Sequence, residues 1–106
     1  MSVLRVTNLL SNALTGSGAA TPLNGSKNFR VDVRWGVGTS AGVVAVETAP
    51  YKDFAGTWKN IADFTWASAN TADGRNDIGP FGAIRARITT TVVTSDKGVY
   101  VDLLEN

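Results

Sequence analysis

Residues 28–37 read Asn-Phe-Arg-Val-Asp-Val-Arg-Trp-Gly-Val, and this stretch decides the fold class. Apolar side chains occupy every second position and therefore share one face of a strand: Phe29, Val31, Val33, Trp35 and Val37. Polar side chains occupy the opposite face: Asn28, Arg30, Asp32 and Arg34. Because β-branched and aromatic residues dominate the apolar set, the segment predicts an antiparallel strand with one buried face and one wet face.

Similar alternations predict further strands. Residues 83–89 place Ile84, Ala86 and Ile88 inward, with Arg85 and Arg87 outward. Residues 99–104 are predicted as a strand of the same type, and residues 58–66 are predicted as one strand with a bulge or a break near position 63.

The strand predicted over residues 43–48 differs from the others on its outer face. Val44 and Val46 point inward, while Val43, Ala45 and Glu47 point outward. Since two of the three outward residues are apolar, we expect that part of the chain covers this outer face.

Turn signals separate the strands at regular spacing. Turns or loops are predicted at residues 24–25, 39–42, 51–57, 67–79 and 79–81, and residues 95–98 are predicted as a hairpin turn. Residues 1–14 fit an edge strand, a short helix or an N-terminal arm. The pattern predicts a single all-β domain over residues 1–106: an antiparallel β-sandwich of about seven to eight short strands with jelly-roll or immunoglobulin-like topology.

Composition excludes several classes of function. The 106 residues include no Cys and no His, which removes disulfides, thiolate sites and the usual zinc ligand. A net charge of +1 supplies no single-sign field for nucleic acid or anionic lipid. No stretch approaches the roughly 18 apolar residues of a membrane span. We therefore expect a protein made in a cytoplasm, with neither nucleic acid nor membrane as its partner.

Carboxylates near predicted loops are the remaining candidates for chemistry: Asp53, Asp63, Asp73 and Asp77. The sequence Asp73-Gly74-Arg75-Asn76-Asp77 does not match the spacing of a calcium loop, and Arg75 would oppose a cation. A sandwich of this size rarely leaves a deep cleft for paired-carboxylate chemistry. The sequence therefore predicts no catalytic residue, no metal and no cofactor, and the protein is not expected to be an enzyme.

Outward arginines form one set of candidate contact residues: Arg30, Arg34, Arg85 and Arg87. We expect Arg30 and Arg34 to share an outer face with Asp32, and Arg85 and Arg87 to share another with Asp102. Cross-strand pairs with these carboxylates would be ordinary surface contacts of roughly 0.2–1 kcal/mol each. Alternatively, the four guanidinium groups meet carboxylates of a partner protein, where Arg is a good anchor.

Aromatic residues near the predicted loops form a second set. Once the core takes Phe29, Trp35, Phe64 and Phe81, four of the remaining rings lie near predicted loops: Tyr51, Phe54, Trp58 and Trp66. Two or three of these rings are expected to be exposed. Exposed rings beside a loop suit a protein interface or a platform for sugar stacking, and simple loop packing is the alternative.

Four elements of the C-terminal half carry a resemblance to a known family: Val44-Ala45-Val46-Glu47, the loop leading to Trp58 and Ile61, Gly79-Pro80-Phe81-Gly82-Ala83-Ile84-Arg85-Ala86-Arg87-Ile88, and the closing segment from Gly98 to Leu104. In these elements the chain resembles small virion proteins of tailed bacteriophages. Residues 14–25 and the strand through Phe29 fit the same layout. The chain departs from the family pattern at residues 50–57, where its loop is longer and more aromatic.

The resemblance implies a β-sandwich virion structural protein that decorates or cements the capsid, assembled in the host cytoplasm and located on the capsid surface. Its implied partners are the major capsid protein and further copies of itself, as a homotrimer or, alternatively, a dimer. The contact residues that we select on this basis are Arg30, Arg34, Tyr51, Phe54, Trp58, Arg85 and Arg87. Residues 3–10 are a candidate arm that grips a neighbour.

Two alternatives stay open. One is a carbohydrate or host-surface binding module of a tail appendage, in which Trp58 or Trp66 stacks against a sugar ring. The other is a structural protein of the neck or tail with the same fold.

Overall fold

The computed structural model describes residues 5–23, 28–69, 71–78 and 82–105. These residues form eight strands: β1 (Arg5–Ala13), β2 (Thr21–Pro22), β3 (Asn28–Trp35), β4 (Thr39–Ala49), β5 (Lys59–Thr65), β6 (Ala72–Ile78), β7 (Ala83–Thr94) and β8 (Val99–Glu105). The predicted all-β sandwich and its number of strands are confirmed. Within the described ranges, no helix is long and apolar enough to cross a membrane.

The strands form two four-stranded antiparallel sheets. The first sheet has the order β1-β8-β3-β6, and the second sheet has the order β2-β7-β4-β5. Four of the strand pairs match the first half of the chain with the second half in reverse order: β1–β8, β2–β7, β3–β6 and β4–β5. The chain thus has the pairing of one long hairpin that is folded into two layers. This is jelly-roll topology, one of the two topologies that the sequence predicted.

The core lies between the inner faces of the two sheets. Buried and exposed residues alternate in β3 as the opening stretch predicted, from Phe29 to Trp35. The prediction for Val37 is wrong, because its side chain is 75% exposed. The strand ends at Trp35, and the chain turns at Gly38, whose φ of +88° is readily adopted by glycine.

Two predicted loops are strands in the structure. Residues 72–78 form β6, which pairs with β3 from Asn28↔Ile78 to Arg34↔Ala72. β6 is an edge strand that is held by backbone hydrogen bonds to β3. It therefore does not need the alternation of apolar residues from which β3 was predicted. Residues 39–42 open β4 instead of forming a turn, and the turn lies at residues 37–38.

Residues 95–98 form a turn, but the prediction of a hairpin there is wrong. β7 pairs with β4 and β2, whereas β8 pairs with β1 and β3. The turn therefore carries the chain from the second sheet to the first. Backbone contact fixes this crossing, since the amide of Gly36 donates to the carbonyl of Gly98 at 2.9 Å.

Several further predictions concern strand ends. The bulge in β5 is confirmed, although the extra residue is Ile61, between the pairs Val46↔Ala62 and Glu47↔Asn60. Residues 5–13 form an edge strand that pairs with β8. The turns predicted at residues 24–25 and 79–81, the core position of Phe81, and residues 3–4 of the candidate arm lie outside the described residues.

Candidate protein-interaction surfaces

Part of the outer face of the second sheet is covered, as the apolar residues of β4 predicted. Ala45 and Glu47 point outward from β4, yet they are 0% and 5% exposed. Residues 50–58, which link β4 to β5, fold back against this face. They complete a small apolar cluster outside the main core, which we call the loop cluster: Ala20, Ala49, Phe54, Trp58 and Ala83.

Trp58 is the largest side chain of the loop cluster. It is 9% exposed, and its indole Nε1–H donates to the carbonyl of Phe54 at 3.0 Å. The guanidinium of Arg85 lies 4.3 Å from the centre of the indole ring. Cation–π contact of this kind is favourable, and it occupies a ring face. The hydrogen bond and the stacked guanidinium together fix the end of the loop.

Glu47 holds the two arginines of β7. Arg85 lies directly across from Glu47, and its Nε donates to Oε1 at 2.9 Å. Arg87 donates to Oε2 from Nη2 at 3.0 Å and from Nε at 3.2 Å. A carboxylate that is 5% exposed would be costly without such partners. This carboxylate therefore determines the positions of both guanidinium groups.

The ionisation of Glu47 follows from the balance between burial and these bonds. Burial by itself raises the pKa of the Glu47 carboxyl, but the hydrogen bonds and charges of Arg87 and Arg85 outweigh it, and the pKa lies below its ordinary value. The same contact raises the pKa of Arg87. Glu47 and Arg87 are therefore both charged at neutral pH.

Tyr51 lies near the start of the 50–58 loop, just after β4 ends. Its side chain is 58% exposed, and its ring meets the ring of Phe54 edge to face, with centroids 5.5 Å apart and an interplanar angle of 89°. Phe54 in turn packs in the loop cluster. Tyr51 is thus an exposed ring on a supported base, which is the form that interface anchors take.

The outer face of the first sheet carries the other predicted arginines. Arg30 forms an ion pair with Asp32. The guanidinium of Arg34 lies 4.8 Å from the ring centre of Tyr100 on the adjacent strand β8. Arg30, Asp32 and Arg34 line an open depression together with residues of β6 that include Ala72 and Gly74.

The seven predicted contact residues therefore fall into two groups on opposite faces of the sandwich. Arg30 and Arg34 lie on the first sheet, and the second group lies on or over the second sheet: Tyr51, Phe54, Trp58, Arg85 and Arg87. The expected grouping of Asp102 with Arg85 and Arg87 is wrong. Asp102 pairs with Asp32 in the first sheet and accepts a hydrogen bond from Asn8 at 2.9 Å.

The expectation of two or three exposed rings is also wrong. Of the four loop-proximal rings, Tyr51 is exposed, Phe54 and Trp66 are half-buried, and Trp58 is buried. Sequence reasoning missed Glu47, the residue that organises the second group. The available signal was the position of Glu47 on β4, where its outward neighbours are apolar. That signal becomes informative only when β4 is known to pair with β7, the strand that carries Arg85 and Arg87.

Three of the candidate carboxylates lie on different elements of the structure. Within residues 5–23, 28–69, 71–78 and 82–105, no group of three or more acidic side chains is placed to hold a metal ion. The candidates Asp53, Asp63 and Asp73 lie in the 50–58 loop, in β5 and in β6 respectively. Asp63 accepts a hydrogen bond from Asn60 at 2.8 Å, and Asp73 accepts one from the amide of Gly74.

The chain is similar to a known protein in structure but matches none in sequence. No protein-family model matches the sequence, and no curated protein matches it. The chain is similar in structure to the crystal structure of the SPBc2 prophage-derived protein YomS, with a TM-score of 0.70. The match covers 99% of this chain and 96% of that chain, at 11% sequence identity. At this identity the likeness concerns the fold.

Proposed function

We propose that this protein is a structural component of a bacteriophage particle, which decorates the capsid and stabilises it by bridging neighbouring major capsid subunits as a homo-oligomer. The observation that carries the proposal is the full-length likeness to a prophage-derived protein. The likeness covers the whole jelly roll and is not limited to one pair of strands. The resemblance of the strand and turn sequences to small phage virion proteins points in the same direction.

The geometry supports a role in binding protein through the loop face. Tyr51 is exposed on a loop whose base is held by the loop cluster and by the Glu47 ion pairs. A preorganised anchor loses little conformational freedom on binding, so more of its contact energy contributes to affinity. We propose Tyr51 as the residue that contacts the capsid, with Phe54 and Trp58 supporting it from beneath.

The arginines of the second sheet act in this proposal as supports. Arg85 and Arg87 both bind Glu47, and Arg85 also covers the indole of Trp58. A partner carboxylate would have to compete with Glu47 for these groups. The same stacking weakens the sugar-binding alternative, because a sugar ring and Arg85 would compete for Trp58.

Mass action explains how such a protein would stabilise a shell. A protein that binds the assembled capsid more tightly than its separate subunits shifts the equilibrium toward assembly. The test is thermal disruption of expanded capsids prepared without this protein, before and after adding it back. We expect the purified protein to raise the disruption temperature. Unchanged stability together with no binding would refute the proposal.

Imaging distinguishes the capsid from the neck and the tail. Electron microscopy of complete particles, compared with particles that lack the protein, should show additional density on the capsid surface. Density confined to the neck or tail would support the alternative location and contradict the capsid role.

A further inference from the structure

The open depression on the outer face of the first sheet carries polar side chains that the proposed capsid contact does not use. It offers about 480 Å³ of space, which lies within the range of small-molecule binding sites. Its polar lining comes from three neighbouring strands: Arg30, Asp32 and Arg34 of β3, Asp73 of β6, and Asp102 of β8.

Two carboxylates of this lining, Asp32 and Asp102, lie directly opposite each other on β3 and β8. Like charges in this arrangement repel. Arg30 donates to Oδ1 of Asp32, and Asn8 donates to Oδ1 of Asp102 at 2.9 Å. Within the described part of the chain, the Oδ2 atom of each carboxylate accepts no hydrogen bond. Because sequences depart from favourable pairing mainly at functional sites, this pair points to a binding role.

Arg34 supplies hydrogen-bond donors to the same depression. Its guanidinium lies 4.8 Å from the ring centre of Tyr100, which supports one face of the group. Its side chain is exposed, and among the described residues no carboxylate forms an ion pair with it. The N–H groups at the edge of the guanidinium are therefore available to a ligand.

Gly74 determines where the Asp32 carboxylate lies. A Cβ added at Gly74 would collide with the head groups of Arg30 and Asp32, so both groups lie over β6. β6 and β8 are on opposite sides of β3, and the Asp32 carboxylate therefore leans away from Asp102. The two carboxylates can thus approach a bound group from two sides.

The charges of the lining indicate the chemical class of the ligand. Two guanidinium groups and three carboxylates surround the depression, so an anion would be repelled by the carboxylates and a cation by the guanidinium groups. A neutral ligand that carries both donors and acceptors avoids this conflict. Each hydroxyl group has one donor and two acceptor sites, and a sugar ring carries hydroxyl groups on neighbouring carbons. Two hydroxyls can donate to Asp32 and Asp102 while a ring substituent accepts from Arg34.

We propose that this depression binds a neutral sugar unit of a glycan through Asp32, Asp102 and Arg34. Unlike the sugar platform predicted at Trp58 or Trp66, the site holds the ring through hydrogen bonds. It goes beyond the proposed function, since the loop that carries the capsid contact lies over the other sheet. A copy bound to a capsid could therefore hold a glycan on its opposite face.

Solution NMR of the isotopically labelled 11.1 kDa chain tests the site without capsids. The probes are the methyl glycosides of glucose, galactose, mannose, rhamnose and N-acetylglucosamine. We expect at least one of them to shift the amide signals of Asp32, Arg34 and Asp102. The dissociation constant should be on the order of 1 mM, because a ligand of this size makes few contacts.

Asp102→Asn tests the carboxylate, since the amide oxygen can still accept the hydrogen bond from Asn8. The substitution should weaken glycoside binding about fivefold or more, because a charged hydrogen bond is lost. Thermal unfolding should occur at the same or a higher temperature, because the repulsion with Asp32 is removed. A loss of binding would then not be explained by unfolding.

Arg34→Met keeps the aliphatic stem that packs on Tyr100 but removes the donors, and it should weaken binding by about the same factor. Asp53→Asn is the matched control, because it neutralises an exposed carboxylate in the 50–58 loop. It should leave glycoside binding unchanged. Circular dichroism verifies that each variant is folded.

Three outcomes would overturn the sugar site. In the first, no glycoside shifts the signals of the depression. In the second, folded Asp102→Asn and Arg34→Met bind glycosides as tightly as the wild type. In the third, the amides of acetyl-lysine or acetyl-aspartate bind more tightly than every glycoside, which would assign the depression to a protein partner. A chain that binds capsids but no glycoside would refute this site and leave the proposed function standing, and the opposite result would do the reverse.

Discussion

Glu47 shows how a single outward residue can organise a surface. Its side chain points away from the main core, yet two guanidinium groups and the chain around the loop cluster enclose it. Arg85 is shared between this carboxylate and the indole of Trp58. Removing the charge of Glu47 would leave two neighbouring positive charges without their counter-ion. We therefore expect the effect on stability to exceed that of an ordinary surface pair.

Glu47→Gln should reduce the free energy of unfolding by about 1.5–3 kcal/mol at neutral pH, because charged hydrogen bonds to both arginines are lost. Chemical denaturation followed by tryptophan fluorescence measures this change. Asp53→Asn removes an exposed loop carboxylate and should change the free energy by less than about 0.5 kcal/mol. Equal effects of the two substitutions would show that the Glu47 pairs contribute nothing beyond a surface charge.

The dependence on pH has a definite sign. The pKa of Glu47 is lower in the folded protein than its ordinary value of 4.5, so its ionised form favours folding. Its contribution is fully present above pH 4.5 and decreases as the pH falls from 4.5 through the folded-state pKa. The stability difference between wild type and Glu47→Gln should therefore narrow below pH 4.5. A difference that stays constant there would contradict this account.

At the scale of elements, residues 50–58 depend on close backbone contact at their start. A Cβ added at Gly82 would collide with the carbonyl of Pro50, where the chain leaves β4. Both groups belong to the backbone, so neither can rotate away. Gly82 therefore lets the chain enter β7 beside the start of the loop, and the loop cluster forms above this contact.

Gly82→Ala should destabilise the protein by about 1–3 kcal/mol, the usual cost of overpacking. Gly74→Ala is the matched control, because the atoms that its Cβ would meet are the mobile ends of Arg30 and Asp32. We expect the control to cost less than about 1 kcal/mol. Thermal unfolding of dilute samples compares them, and a control as unstable as Gly82→Ala would contradict the proposed backbone collision.

Elements differ in how much of their structure the sequence revealed. β3 and β7 were predictable because each has one buried face, which enforces alternation along the strand. β6 was missed because an edge strand of polar residues is held by backbone bonds to β3. The turn at residues 95–98 was recognised from its residue types, but its role in joining the two sheets depends on long-range pairing.

The candidate surfaces were predictable to the same extent. Outward positions of Arg30, Arg34, Arg85 and Arg87 followed from alternation within their own strands. Which carboxylate each one meets depends on register between strands far apart in sequence. Asp102 illustrates this. The alternation along β8 correctly predicts that its side chain points outward, but its sheet is known only from the pairing of β8 with β3.

At the scale of the whole molecule, the jelly roll separates two kinds of surface. The first sheet presents Arg30, Asp32 and Arg34 on its outer face. The second sheet presents the loop that carries Tyr51. Because the outer faces of a sandwich point in opposite directions, one surface can bind a glycan while the other contacts the capsid. This arrangement would suit a protein that decorates the capsid surface.

The separation of the two faces leads to a prediction about capsid binding. Tyr51→Ala should weaken binding to capsids by about tenfold or more, the loss expected for an aromatic anchor. Arg34→Glu alters the opposite face and should change binding less than about threefold, since charges outside a contact have small effects. Titration of each purified variant against capsids that lack the protein gives the affinities. Loss of binding in Arg34→Glu with normal binding in Tyr51→Ala would place the capsid contact on the first sheet.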